Sequence, residues 1–263
     1  MIRHVFAFNI TSLDALPRME RWYWQYHAPE ALRKLGPWLR RYESYRAVVS
    51  GDDHAALGYY NYRWTEMWFD RFEPTAPPNG LTWYEGQTRD LDDIRTDDKY
   101  NADWQGRREG PHPPLQLFLP AVPEVTLDNH RGIHTPAPTL RWIAVLKFPQ
   151  DRAAGDRWVL DEVLPVFAKT PGVTHVFSSN ALRVPEEKLR ELAPGEPKQF
   201  PWHRWVEVRF TEYAPWLECA TAALTAPSGN KDRAGIIEPY ADLVSTIVLE
   251  RPDWTLADHR PFP

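Results

Sequence analysis

Cysteine is nearly absent from this chain: Cys219 is the only one among 263 residues. That excludes an internal disulfide and any metal site built from several thiolates. Long apolar runs are missing too. No stretch approaches the ~18 consecutive apolar residues that a membrane-spanning helix needs. The opening MIRHVFAFNI reads as a strand and lacks the long apolar centre of a signal peptide. Basic charge is not in excess. With 31 Lys and Arg against 36 Asp and Glu the formal net charge is −5, so nucleic acid is not an expected partner. The chain also lacks G-x-S-x-G, Walker and dinucleotide glycine patterns. These absences leave a soluble, cytoplasmic protein without membrane contact as the expectation.

Tryptophan and proline are plentiful, at 13 and 26 residues. Proline ordinarily makes up about 5% of a chain, and here it is about twice that. Tryptophan suits cores and pockets for flat apolar ligands, so the expected partner is a hydrophobic aromatic small molecule.

The sequence repeats itself. Arg21-Trp22, Pro29 and Gly36 recur without a gap as Arg157-Trp158, Pro165 and Gly172, an offset of 136 residues. Farther on, Arg63-Trp64-x-Glu66-x-x-Phe69 recurs as Arg204-Trp205-x-Glu207-x-x-Phe210, an offset of 141. In each half a strand (4–10; 140–148) precedes a helix (16–35; 151–169) that stops near Gly36 or Pro171-Gly172. Second strands (40–48; 173–181) and third strands (61–69; 202–210) follow. A second helix (212–226) and a fourth strand (243–250) complete the second half, and 115–122 reads as the last strand of the first. The pattern predicts an α+β fold of two tandem ferredoxin-like β-α-β-β-α-β repeats. Residues 1–122 form the first repeat, with a polar insertion at about 85–113 and the Pro-rich stretch 123–138 as linker. Residues 139–263 form the second repeat and tail.

Period-2 alternation in the third strands separates two faces. Val206, Val208 and Phe210 belong under the helices, whereas Trp205, Glu207 and Arg209 face away, as do Trp64, Glu66 and Trp68 in the first half. Two such aromatic and charged faces can meet to enclose a lined barrel.

The stretch Trp22-Tyr23-Trp24-Gln25-Tyr26-His27-Ala28-Pro29, followed by Arg40-Arg41-Tyr42, resembles the EthD-like family of the dimeric α/β-barrel superfamily. The likeness spans about residues 4–48. Tyr23 stands where that family's pattern has tryptophan, and Val163 replaces the histidine in the second half. The resemblance implies a barrel that single-unit members form as dimers and that a tandem chain builds alone, with a further homodimer also open. That superfamily houses cofactor-independent monooxygenases, cyclases, isomerases and dehydratases together with haem enzymes, so the resemblance implies small-molecule chemistry without fixing the reaction. The expectation is that no cofactor is used, a haem on His27 being the weaker alternative.

His27 is the first catalytic candidate, since an imidazole with a pKa near 6.5 is suited to moving a proton on an enolisable substrate. Tyr23, one helical turn earlier, is its candidate helper. Glu66 and Glu207 are candidate second proton carriers; the alternative is a structural bridge, such as Glu207 with Arg204 or Arg209. Trp64, Trp68, Trp205 and Arg209 are candidate pocket walls. Tyr42 and Arg46 share one face of the second strand, and Lys147 either reaches an interior oxyanion or marks a strand end. His130 and His134 have H-x3-H spacing, but Gly and Pro around them disfavour a helix, so no metal is expected. The expected activity is a cofactor-free cyclisation, isomerisation, dehydration or lyase reaction. A cofactor-free monooxygenase of a phenol and a non-catalytic carrier are the alternatives.

Overall fold

The computed structural model describes residues 2–8, 16–29, 32, 39–48, 57, 59, 62–69, 115–117, 121–128, 139–148, 151–181, 202–224, 242–249 and 254–256. The polar insertion at 85–113, the His130/His134 pair and the first half's second helix lie outside these residues. In the first half, β1 (Ile2–Phe8) leads to α1 (Leu16–Trp22), which continues as a π-helical turn, Tyr23–His27. There follow β2 (Leu39–Arg46), β3 (Arg63–Phe69), the short β4 (Leu115–Leu117) and β5 (Ala121–Asp128). The second half opens with β6 (Leu140–Lys147) and α2 (Arg152–Trp158), then a second π-helical turn, Val159–Val163, and α3 (Leu164–Lys169). It closes with β7 (Val173–Ala181), β8 (Arg204–Phe210), α4 (Tyr213–Leu224), β9 (Asp242–Leu249) and β10 (Trp254–Leu256).

Local chemistry accounts for the element ends. Asp151 caps α2 by accepting from the backbone N–H groups of Ala153 and Ala154, at 2.8 and 3.2 Å. After α3 the chain reverses at Gly172, whose φ of +76° is one that L side chains rarely adopt. Strand β5 differs from the expectation: it runs through Asp128, into the stretch read as linker. Pro123 and the register shift beside it disguise that strand's pattern.

All ten strands belong to one sheet with the order β10-β2-β3-β1-β5-β7-β8-β6-β9, and β4 also pairs with β1. Each named pairing is antiparallel. The sheet closes on itself where Ala47 bridges Val248 and Val48 N–H donates to the Ile247 carbonyl at 2.7 Å. The result is an α+β barrel with few helices and two distinct cores.

Strand β6 shows how alternation makes those cores. Trp142, Ala144 and Leu146 pack outward with Val159, Val163 and Phe167 of the helical layer and with Trp216 of α4. Ile143 and Val145 point into the barrel with Val5, Ala7, Tyr45, Trp64, Trp205 and Val244. Each large apolar side chain so buried contributes about 1.5–3 kcal/mol. Among the described residues no helix is long and apolar enough to cross a membrane.

Candidate functional site

The first π-helical turn carries His27 into the layer between helix and sheet, where it is 7% exposed. Its ring lies 4.8 Å from Trp22, 5.3 Å from Phe8 and 5.4 Å from Tyr23. The Tyr23 hydroxyl is 2.8 Å from both the Tyr42 hydroxyl and Thr65 Oγ1, and Ser44 Oγ lies 3.4 Å from Thr65. Beneath them is the fully buried Arg63. It donates to Ser44 at 2.9 Å and to Glu20 at 2.7 Å, and its guanidinium lies 4.4 Å from the Tyr23 ring centre. Glu20 also accepts from Trp24 at 2.8 Å and pairs with the half-exposed Arg46 at 3.1 Å.

Burial dominates the electrostatics here. It pushes His27 down to about 3, with Arg63 adding to the effect, so the imidazole is neutral. Burial raises Tyr23, partly offset by Arg63 and by its hydroxyl partners. It raises Tyr42 further, with Tyr23 adding to the rise. The cluster therefore combines a neutral imidazole, two un-ionised phenols and a buried cation. Such a set can orient a phenolic ligand, donate to a developing oxyanion and accept a proton.

The matching place in the second half is informative. The two π-helical turns start 136 residues apart (159 − 23), which sets Val159 against Tyr23, Val163 against His27 and Asp156 against Glu20. Strand register sets Val176 against Tyr42 and Val206 against Thr65: Ser44 pairs with Thr65 as Ser178 pairs with Val206, and Tyr42 with Met67 as Val176 with Val208. The cationic base persists. Arg204 donates to Asp156 at 2.7 Å and to Ser178 at 2.9 Å, and it also reaches Glu124. At these offsets and register positions the second half thus has four valines, beside an Arg–acid–Ser arrangement like that of Arg63, Glu20 and Ser44.

Glu66 and Glu207 lie across the sheet from His27, inside the barrel. The structure does not bring the imidazole and these carboxylates together, because the sheet stands between them. Arg141 donates to Glu66 and to Glu207, at 2.5 and 2.6 Å. Arg3 pairs with Glu207 and lies 3.6 Å from Glu66. All four side chains are at least 94% buried. Burial alone would raise Glu66, but Arg141 and Arg3 outweigh it and hold the carboxyl below its ordinary value. Both carboxylates are held in ion pairs, and their partners are Arg3 and Arg141, not Arg204 or Arg209.

The other candidates divide between the same two layers. Trp64 donates to Glu66 at 3.0 Å, and the Arg3 guanidinium lies 5.3 Å from the Trp68 ring and 4.8 Å from the Trp205 ring. Arg209 is half-buried on the barrel side, beside Phe177 at 5.0 Å. Tyr42 and Arg46 lie on the helix side. Lys147 is the last residue of β6 and is half-buried. Arg3, Arg63, Arg141 and Thr65 were not among the candidates. Arg3 and Arg141 had a visible signal: each is an arginine at the second position of a largely apolar strand.

Residues 1–92 match the model of the Chalcone isomerase N-terminal domain family, which covers the segment that carried the EthD-like resemblance and includes the whole His27 cluster. No curated protein sequence matches the chain. Among solved structures, an anthrone oxidase-like protein aligns over 98% of this chain and 94% of its own, with a TM-score of 0.50 at 10% identity. That likeness is one of fold. A protein of Lactobacillus acidophilus NCFM, provisionally termed a monooxygenase, aligns over 97% and 98% with a TM-score of 0.33 at 11% identity. A similarly described protein of Fusobacterium nucleatum subsp. nucleatum aligns over 97% of both chains with a TM-score of 0.38 at 12% identity.

Proposed function

We propose that this chain is a cofactor-independent enzyme that isomerises or cyclises a phenolic enone by proton transfer, at the His27 cluster of the first half. In this reading the chain is a tandem of two ferredoxin-like units, the first running through Asp128, and only one of two related chambers does chemistry. One observation carries the reading. Four hydrogen-bonding residues, His27, Tyr23, Tyr42 and Thr65, stand at positions where the other half has four valines. A chamber needed only for packing is well served by valine, as the second half illustrates. Burying an imidazole and three hydroxyls instead creates hydrogen-bonding demands that packing does not require.

The name of the matched family supplies the substrate class: a chalcone is an enone flanked by two aromatic rings, and its isomerisation is redox-neutral. The reaction balances with the groups present. His27 accepts the substrate's phenolic proton, and the phenol oxygen forms a C–O bond to the β-carbon. The alkene electrons pass to the carbonyl oxygen, where Tyr23 or Tyr42 donates a hydrogen bond. The proton then returns to the α-carbon from the imidazolium. A phenolic substrate against His27 supplies the negative charge that burial and Arg63 deny to the imidazolium in the free protein.

The test is turnover of 2′-hydroxychalcone by the wild type, His27→Ala and Tyr23→Phe. Loss of the proton carrier lowers the rate about 100-fold or more, and loss of the phenol about tenfold. An unchanged rate in His27→Ala rejects the assignment. The fold likeness to an anthrone oxidase-like protein favours a second reading, a cofactor-free oxygenation of a phenol. Oxygen consumed in proportion to substrate distinguishes it, and tight binding without product identifies a carrier.

A further inference from the structure

The hydroxyls beside His27 connect in series to the buried cation beneath them. Arg63 donates to Ser44 at 2.9 Å, and Ser44 Oγ lies 3.4 Å from Thr65 Oγ1. Thr65 in turn is 2.8 Å from the Tyr23 hydroxyl, which is 2.8 Å from that of Tyr42. All five side chains are fully buried. Strand register builds the series, since β2 and β3 pair Ser44 with Thr65 and Arg46 with Arg63. The series also has a direction. A guanidinium only donates, so Ser44 accepts from Arg63, and each hydroxyl beyond it has one proton to pass on. Thr65 then donates to Tyr23, and Tyr23 to Tyr42. Hydrogen bonds aligned in this way polarise one another in a dry interior.

The second half holds the start of this series and not its continuation. Arg204 donates to Ser178 at 2.9 Å, as Arg63 does to Ser44. Val206 stands at the register position of Thr65, and the Ser178 hydroxyl donates to the Trp205 carbonyl at 3.1 Å. Thr65 is thus the link that extends an Arg–Ser pair common to both halves into the His27 chamber. We infer that Thr65 is a positioning residue: with Ser44 it relays the charge of Arg63 to the Tyr23 hydroxyl and turns the phenol proton toward Tyr42, so that the two phenols act as one polarised donor to the substrate oxygen. The electrostatics agree. Burial raises the Tyr23 phenol, and Arg63, Ser44, Thr65 and Tyr42 each oppose the rise. The role in turnover rests on the proton transfer proposed above; the relay itself does not.

Two readouts on the intact protein test this, with Ser178→Ala as control for the loss of a like hydroxyl in the other half. The first needs no substrate. In protein labelled with carbon-13 at tyrosine Cζ, the Tyr23 and Tyr42 signals are assigned by Tyr23→Phe and Tyr42→Phe. Both signals move in Thr65→Val and in Ser44→Ala, and neither moves in Thr65→Ser or Ser178→Ala. The second is turnover of 2′-hydroxychalcone per folded protein. Thr65→Val lowers kcat about tenfold with KM unchanged, whereas Thr65→Ser keeps kcat within about twofold. A packing role predicts the opposite order, because valine keeps the shape of threonine and serine does not. Ser44→Ala lowers kcat in the same direction and reads both quantities if Thr65→Val does not fold. Tyrosine signals that ignore Thr65→Val and Ser44→Ala overturn the relay. Signals that move while kcat does not overturn its role in turnover. Signals that move in a protein whose wild type leaves the chalcone unconverted support the relay and reject the proposed reaction instead.

Discussion

His27 is held neutral far below the pH at which a free imidazole charges, by burial first and Arg63 second. The unfolded chain therefore binds a proton near pH 6.5 that the folded chain resists until about pH 3. Between those values the unfolded state holds more protons, so stability falls as pH falls, by up to about 1.4 kcal/mol per pH unit from this group. His203, pushed down to about 4 mainly by burial, adds a contribution of the same sign. Replacing His27 with valine, the residue at the matching position, removes one of the two. Urea midpoints measured from pH 7 to pH 4 then fall less steeply in His27→Val than in the wild type; parallel curves contradict this picture. The sequence showed that His27 has no counterpart in the second half. It did not show which neighbours surround it, because Phe8, Tyr42 and Thr65 come from three strands whose register is set only on folding. Alternation did assign Glu66 and Trp64 to the face turned away from the helices, and so away from His27.

At the scale of elements, the helical layer is fixed by close contacts that leave little room. Gly155 of α2 lies so near the Phe148 ring that an added Cβ would sit 2.2 Å from Phe148 Cγ. The ring belongs to the outer core and cannot swing away without disturbing its buried neighbours. Gly155→Ala therefore destabilises the protein by about 1–3 kcal/mol, despite alanine's better helix propensity. Equilibrium unfolding in urea measures this, and a gain in stability contradicts the packing. Helix ends were legible where local chemistry sets them, at Asp151 and at Pro171-Gly172. The π-helical turns were not, since apolar spacing over five residues does not separate i→i+4 from i→i+5 bonding. These turns matter because they set which residue of each helix reaches the sheet: His27 and Tyr23 in one half, Val163 and Val159 in the other.

For the whole molecule, the barrel interior holds the halves together through charge as well as apolar contact. Arg3 comes from β1 and Glu207 from β8, while Arg141 on β6 reaches Glu66 on β3. Removing one carboxylate leaves buried guanidiniums short of a partner. Glu207→Gln costs about 3–5 kcal/mol of stability, and the protein that remains folded turns over substrate at the wild-type rate. A loss of turnover larger than the loss of folded protein would instead place Glu207 in the chemistry. The alternation that pointed to a barrel was legible from Trp64-Thr65-Glu66 and Trp205-Val206-Glu207. The closing contacts, Ala47 with Val248 and β5 with β7, join segments about 200 and 50 residues apart, and no local pattern announces them.

In the proposed reaction the His27 cluster moves a proton without oxygen or a cofactor. The most direct measurement is incubation of 2′-hydroxychalcone with the protein in D2O under argon, with the product read by mass spectrometry and NMR. Proton transfer by His27 gives full turnover without oxygen, one deuterium at the carbon beside the carbonyl, and loss of both with His27→Ala. Product that forms only when oxygen is admitted, or deuterium incorporated as fast by His27→Ala, would contradict it.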